Sequence, residues 1–114
     1  MTEETSSFDL EQLCKVLGLP AGTVAVLLAD YLRSAATNVE QLRAAVSNND
    51  LTQIRDLAHK LKGSSANFRV TSVANRAQQM EAAAGEGKQE DYTAILNAIN
   101  SELDIVGKEV AGDT

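Results

Sequence analysis

The chain has 114 residues, of which 44% are hydrophobic and 23% charged, and a net charge of −6 at pH 7. That is one domain's worth of chain, able to bury one modest core, and its single cysteine, Cys14, excludes an internal disulfide or a cysteine metal pair. The acidic balance argues against nucleic acid and anionic membrane surfaces as partners. No apolar run approaches the roughly 20 residues of a membrane span, and MTEETSSFD lacks the basic and apolar regions of a signal peptide. The expectation is one cytoplasmic domain over residues 1–114, with residues 1–6 and 111–114 frayed. Ala, Leu, Glu and Val are the commonest residues, only 4% of residues are aromatic and Pro20 is the sole proline, a mix that on balance favours helix.

The first helix is predicted over residues 8–17, after the possible cap hydroxyls of Ser6–Ser7 and ending at Gly18. Leu10, Leu13, Cys14 and Leu17 fall on one stripe, so Cys14 reads as a small buried hydrophobe. Pro20 suits the start of a second, longer helix over residues 21–47. There Leu28, Leu32, Ala35, Val39, Leu42 and Val46 recur at spacings of three and four, widened by Leu27 and Tyr31. Asn48–Asn49–Asp50 ends that helix and caps a third over residues 51–67. A fourth is predicted over residues 71–84, with Val73, Ala77, Met80 and Ala84 inward, before Gly85–Glu86–Gly87. A fifth, over residues 89–109, carries Tyr92, Ile95 or Leu96, Ile99, Leu103, Val106 and Val110 in a near-heptad pattern. No segment alternates as a half-buried strand would. The expected fold is all-α: an antiparallel four-helix bundle with a short additional N-terminal helix covering one end.

The chain's only histidine lies in the third helix. With successive residues about 100° apart, Ile54, Leu57, Ala58, Leu61 and Phe68 define the inward direction, and His59 falls about 155° from it. A hydrogen-bonded core histidine is therefore disfavoured, and the competing bland reading is an idle surface residue. Its neighbours argue otherwise. Arg55 and Asp56 lie one turn below, Lys62 and Gly63 one turn above, and Ala66 two turns above. A mid-helix glycine costs up to about 1 kcal/mol relative to alanine, and Gly63 points away from the core, so helix packing does not account for it. Bulk there would block whatever must approach His59. Lys62 can reach an anion on the imidazole, whereas Lys60, on another face, reads as a solvated lysine. An imidazole near neutral pH offers a nitrogen nucleophile. Phosphoryl transfer asks little beyond in-line positioning and charge neutralisation. The chain shows no phosphate loop and no strand-borne acidic cluster for Mg²⁺, so a partner must bring the metal and its carboxylates.

His59-Lys-Leu61-Lys62-Gly63-Ser64-Ser65-Ala66-Asn67-Phe68 resembles the H-x-L-K-G-S-[SA] signature of histidine-containing phosphotransfer (HPt) domains. Ala58, Asn49–Asp50 and Met80–Glu81–Ala82 also look like that family. The resemblance covers most of the chain. It implies a single HPt domain that is no enzyme by itself and acts in a multistep two-component phosphorelay. His59 would take a phosphoryl group from one receiver-domain aspartate and pass it to another. Lys62 would neutralise the phosphate, Gly63 would admit the receiver's active site, and Arg55, Asp56 and Ala66 would belong to the docking patch. The implied partners are response-regulator receiver domains and a hybrid histidine kinase. The protein itself would be a monomer without cofactor, Mg²⁺ sitting on the receiver. Ser64 and Ser65 point partly inward and are assigned to helix packing. The sequence departs from the family at Arg69, where many members have a glycine that would serve as a helix C-cap.

Three other readings compete. A helical-bundle adaptor that never meets phosphate would use the same exposed face but leaves Lys62 and Gly63 unexplained as a set. An enzyme with His59 as general base, assisted by Asp56, lacks a pocket on a convex helix surface. A histidine kinase's dimerisation domain is usually joined to an ATP-binding domain, for which 114 residues leave no room.

Overall fold

A computed structural model describes residues 8–112 as five helices: α1 (Leu10–Leu17), α2 (Ala21–Ser47), α3 (Leu51–Asn67), α4 (Thr71–Gly85) and α5 (Tyr92–Gly112). No strand occurs among the described residues. α3 packs on α2 and α4, and α5 packs on the same two from the other side, closing a four-helix bundle. α1 lies against α2 at the bundle's end, bent 105° from it across Gly18–Pro20. Leu13, Leu28, Leu42, Ile54, Leu61, Met80, Leu96 and Ile99 are fully enclosed in one continuous core. Both Ile95 and Leu96 are buried. No single helix is long and apolar enough to cross a membrane.

Three of the five helix starts, those of α1, α3 and α5, are set by aspartates. Asp9 Oδ1 accepts from Gln12 N at 3.1 Å, Asp50 Oδ1 from Gln53 N at 3.1 Å and Asp91 Oδ1 from Ala94 N at 3.0 Å. Each satisfies a backbone donor that the first turn leaves unpaired. α1 therefore begins at Leu10 rather than at residue 8, and Ser6–Ser7 lie outside the described residues. α5 begins at Tyr92 rather than 89, because Asp91 caps it, and it continues to Gly112, so residues 111 and 112 are helical rather than frayed. Residues 1–6, 113 and 114, also expected to fray, lie outside the described residues. Several apolar expectations soften: Cys14, Leu32, Val46 and Val110 are only partly buried, and Leu17 and Leu27 are exposed.

The three connections within the bundle share one geometry. Asp50 N bonds Ala45 O, Val70 N bonds Ser65 O and Lys88 N bonds Ala83 O, all at 2.9 Å, and each spans a left-handed residue: Asn49 (φ 55°), Arg69 (φ 59°) and Gly87 (φ 71°). This is the Schellman termination, which reverses the chain within a few residues and makes consecutive helices antiparallel neighbours. Glycine adopts that conformation freely, asparagine tolerates it, and arginine does so at a cost of about 1–2 kcal/mol. The turn after Phe68 thus keeps the shape a glycine would give it, with Arg69 bearing the strain.

Candidate functional site

α3 holds its inward stripe against α2 and α4 through Ile54, Leu57, Ala58 and Leu61, and this rotation presents His59 to solvent, its side chain 67% exposed. From α4, Glu81 reaches across. Its Oε2 lies 2.9 Å from His59 Nδ1 and its Oε1 lies 2.7 Å from Lys62 Nζ. One carboxylate therefore holds both the imidazole and the ammonium one turn above it. The Lys62 and Glu81 side chains are only 30% and 22% exposed. Lys62, and secondarily His59, hold the Glu81 carboxyl below the usual carboxylate range despite its partial burial.

An ionised carboxylate can only accept hydrogen bonds, so in this contact Nδ1 carries the ring proton. The other nitrogen, Nε2, then bears the lone pair on the ring's far side, and no described residue bonds to it. Around the ring the surface is bare. A Cβ built on Gly63 would meet nothing within 4 Å, and Ala66 is exposed. Gly63 therefore serves no helix contact.

Arg55 and Asp56 lie below the ring and pair with each other, Nη2 to Oδ1 at 3.2 Å. Asp56 is thus engaged by Arg55, and Glu81 is the carboxylate on His59, which removes the arrangement in which Asp56 assists a general base. The Arg55 stem crosses α4 at Gly85, where an added Cβ would lie 3.6 Å from Cδ. Ser64 Oγ donates to Leu61 O at 3.2 Å, and Ser65 is buried with its Oγ 2.6 Å from Tyr31 Oη. Both serines belong to packing, as expected.

Glu81 is the residue that sequence reasoning missed as part of the site. It sits 22 positions from His59, and only the α3–α4 pairing brings the two together. No group of three or more His, Cys, Asp or Glu able to hold a metal ion occurs among the described residues. Two surface recesses, of about 480 and 410 Å³, are lined by residues such as Asp9, Cys14 and Glu109, and Leu32, Leu103 and Gly107; His59 lines neither. The site is an open, convex face with a presented nucleophile, suited to meeting another macromolecule rather than enclosing a small substrate.

A helical bundle displaying one solvent-facing histidine beside a lysine and a bare glycine is the arrangement of a phosphotransfer domain. Residues 26–109 match the Hpt domain family, and the chain belongs to it. It acts in histidine phosphotransfer within two-component phosphorelays. Among solved structures it is similar to histidine-containing phosphotransfer protein B (HptB) of Pseudomonas aeruginosa PAO1, with 24% identity over 91% of this chain and 88% of that one and a TM-score of 0.79. That likeness concerns the fold. A search of curated proteins finds no match.

Proposed function

We propose that the protein carries a phosphoryl group on His59 between receiver-domain aspartates, accepting it from one receiver and delivering it to another. The supporting observation is the division of labour on the imidazole: Glu81 occupies Nδ1 at 2.9 Å and the exposed ring offers Nε2 outward. In the accepting step the Nε2 lone pair forms the N–P bond while the acyl phosphate's O–P bond breaks, returning the donor's aspartate as a carboxylate. The delivering step is the reverse, onto a second carboxylate. Lys62 neutralises the phosphate by turning part of its charge from Glu81 towards it. Gly63 leaves room for the receiver's active site, and Arg55, Asp56 and Ala66 form part of the docking patch. Mg²⁺ and its carboxylate ligands come with the receiver. The protein works as a cytoplasmic monomer, a carrier rather than a catalyst on its own, and a hybrid histidine kinase is the fitting upstream source.

Incubation with a ³²P-labelled receiver tests this. The wild type should take up label, and His59→Gln should take up none while keeping its helical circular dichroism. Undiminished labelling of His59→Gln would refute the assignment. A wild type that binds receivers yet never labels would instead favour a phosphate-independent adaptor.

A further inference from the structure

Between Leu51 and Arg69 the chain carries Arg55, Lys60, Lys62 and Arg69 against the single carboxylate of Asp56, although the whole protein has a net charge of −6. The histidine-bearing helix is thus a basic island on an acidic body. Within it the cations differ in freedom. Lys62 is tied to Glu81 and Arg55 to Asp56. Lys60 and Arg69 are both exposed, and neither has an ion-pair partner among the described residues. Arg69 stands at φ 59°, where glycine would be at ease, so the turn carries a backbone cost at a residue whose side chain makes no ion pair among the described residues. Arg69 lies just past the end of α3, whose last residue, Asn67, is about 12 Å along the helix axis from His59. An interface patch of about 800 Å² centred on His59 has a radius of roughly 16 Å, so Arg69 falls on its rim.

We propose that Lys60 and Arg69 form the steering rim of this docking surface. The inference rests on the phosphotransfer reading. Its occupant is a receiver whose phosphate-carrying aspartate sits among further carboxylates that bind its metal. Such an acidic mouth is repelled by this chain's overall charge. It is drawn to α3 only by local positive charge, which at an interface rim acts on the rate and orientation of encounter. Lys60, about 100° around α3 from His59, flanks the presented face rather than sharing it, and Arg69 extends the attraction past the far end of α3.

The test measures the second-order rate constant of ³²P transfer at 50 and 300 mM salt, from the receiver that labels wild-type His59 fastest. Arg69→Glu and Lys60→Glu should each lower it by about tenfold at low salt and flatten its salt dependence. The single-turnover rate at saturating receiver should be unchanged. Arg69→Lys should restore the rate, and Arg69→Gly, which relieves the backbone, should not. Lys108→Glu on α5, which packs on α2 and α4 rather than on α3, alters net charge equally and should change the rate less than about twofold. Wild-type rates in Arg69→Glu and Lys60→Glu, or an equal loss in Lys108→Glu, would overturn the steering rim while leaving the phosphorelay reading intact. A wild type that no receiver labels would overturn both.

Discussion

Glu81 is the residue on which the site's chemistry turns, because one carboxylate fixes the tautomer of His59 and holds the only cation within contact of that carboxylate group other than the imidazole among the described residues. Its pKa is held below the usual carboxylate value chiefly by Lys62. A carboxyl whose folded pKa is depressed contributes stability that is fully present above its unfolded value, near 4.5, and lost as the pH falls through the folded one. The stability gap between wild type and Glu81→Gln, read from urea unfolding, should be largest near neutrality and should close as the pH falls below 4.5 and through the depressed value of the folded state. A gap independent of pH would show that the ion pair is not what the substitution removes. Gly63 makes a different demand. Open space surrounds its α-carbon, so Gly63→Gln should fold as well as wild type or better, since glycine is the poorer helix former by up to about 1 kcal/mol. Phosphoryl transfer should nonetheless slow at least about tenfold if clearance there is worth one and a half kcal/mol at the transition state. Stopped-flow or quenched transfer assays alongside thermal melts separate the two effects, and an unaltered rate would show that clearance at position 63 is irrelevant.

At the scale of elements, α2 and α3 are joined by the buried Tyr31–Ser65 hydrogen bond, with the Tyr31 and Phe68 rings 5.4 Å apart beside it. Burial pushes the Tyr31 hydroxyl up to about 12, opposed by Ser65. Because the neutral phenol is the form the fold retains, its contribution is present below pH 10 and declines as the pH rises towards about 12. Ser65→Ala should cost about 1–3 kcal/mol by leaving a buried hydroxyl unpartnered, and Tyr31→Phe in that background should recover part of it; a double-mutant cycle by chemical denaturation measures the coupling. The spans of α2 and α3 were legible in the sequence, since long stripes at spacings of three and four leave little freedom and Asn49–Asp50 supplies a left-handed residue followed by a cap. The first residues of α1 and α5 were not. Several residues before each could cap, and the choice of Asp9 and Asp91 depends on backbone angles that sequence does not display.

For the molecule as a whole, the outward rotation of His59 followed from counting around one helix, because the inward direction of α3 is marked by its own leucines. The partner on Nδ1 did not, because the meeting of His59 with Glu81 depends on how far α4 is slid and rotated along α3, and that is settled by the Schellman turn at Arg69 and by side-chain packing across the pair. Periodicity within a helix is a local property, whereas register between helices is collective. Arg69 is the instructive case: a sequence departure that bears on the turn proves compatible with it at a backbone cost, and the exposed charge it leaves is available to a partner.

The most direct test of the account is nitrogen-resolved NMR of the protein after phosphorylation by a receiver. Long-range ¹H–¹⁵N correlations should place phosphorus on Nε2 of His59, with Nδ1 still protonated and its proton shifted by the Glu81 carboxylate. Phosphorus on Nδ1, or an unmodified imidazole after exposure to phosphorylated receivers, would contradict it.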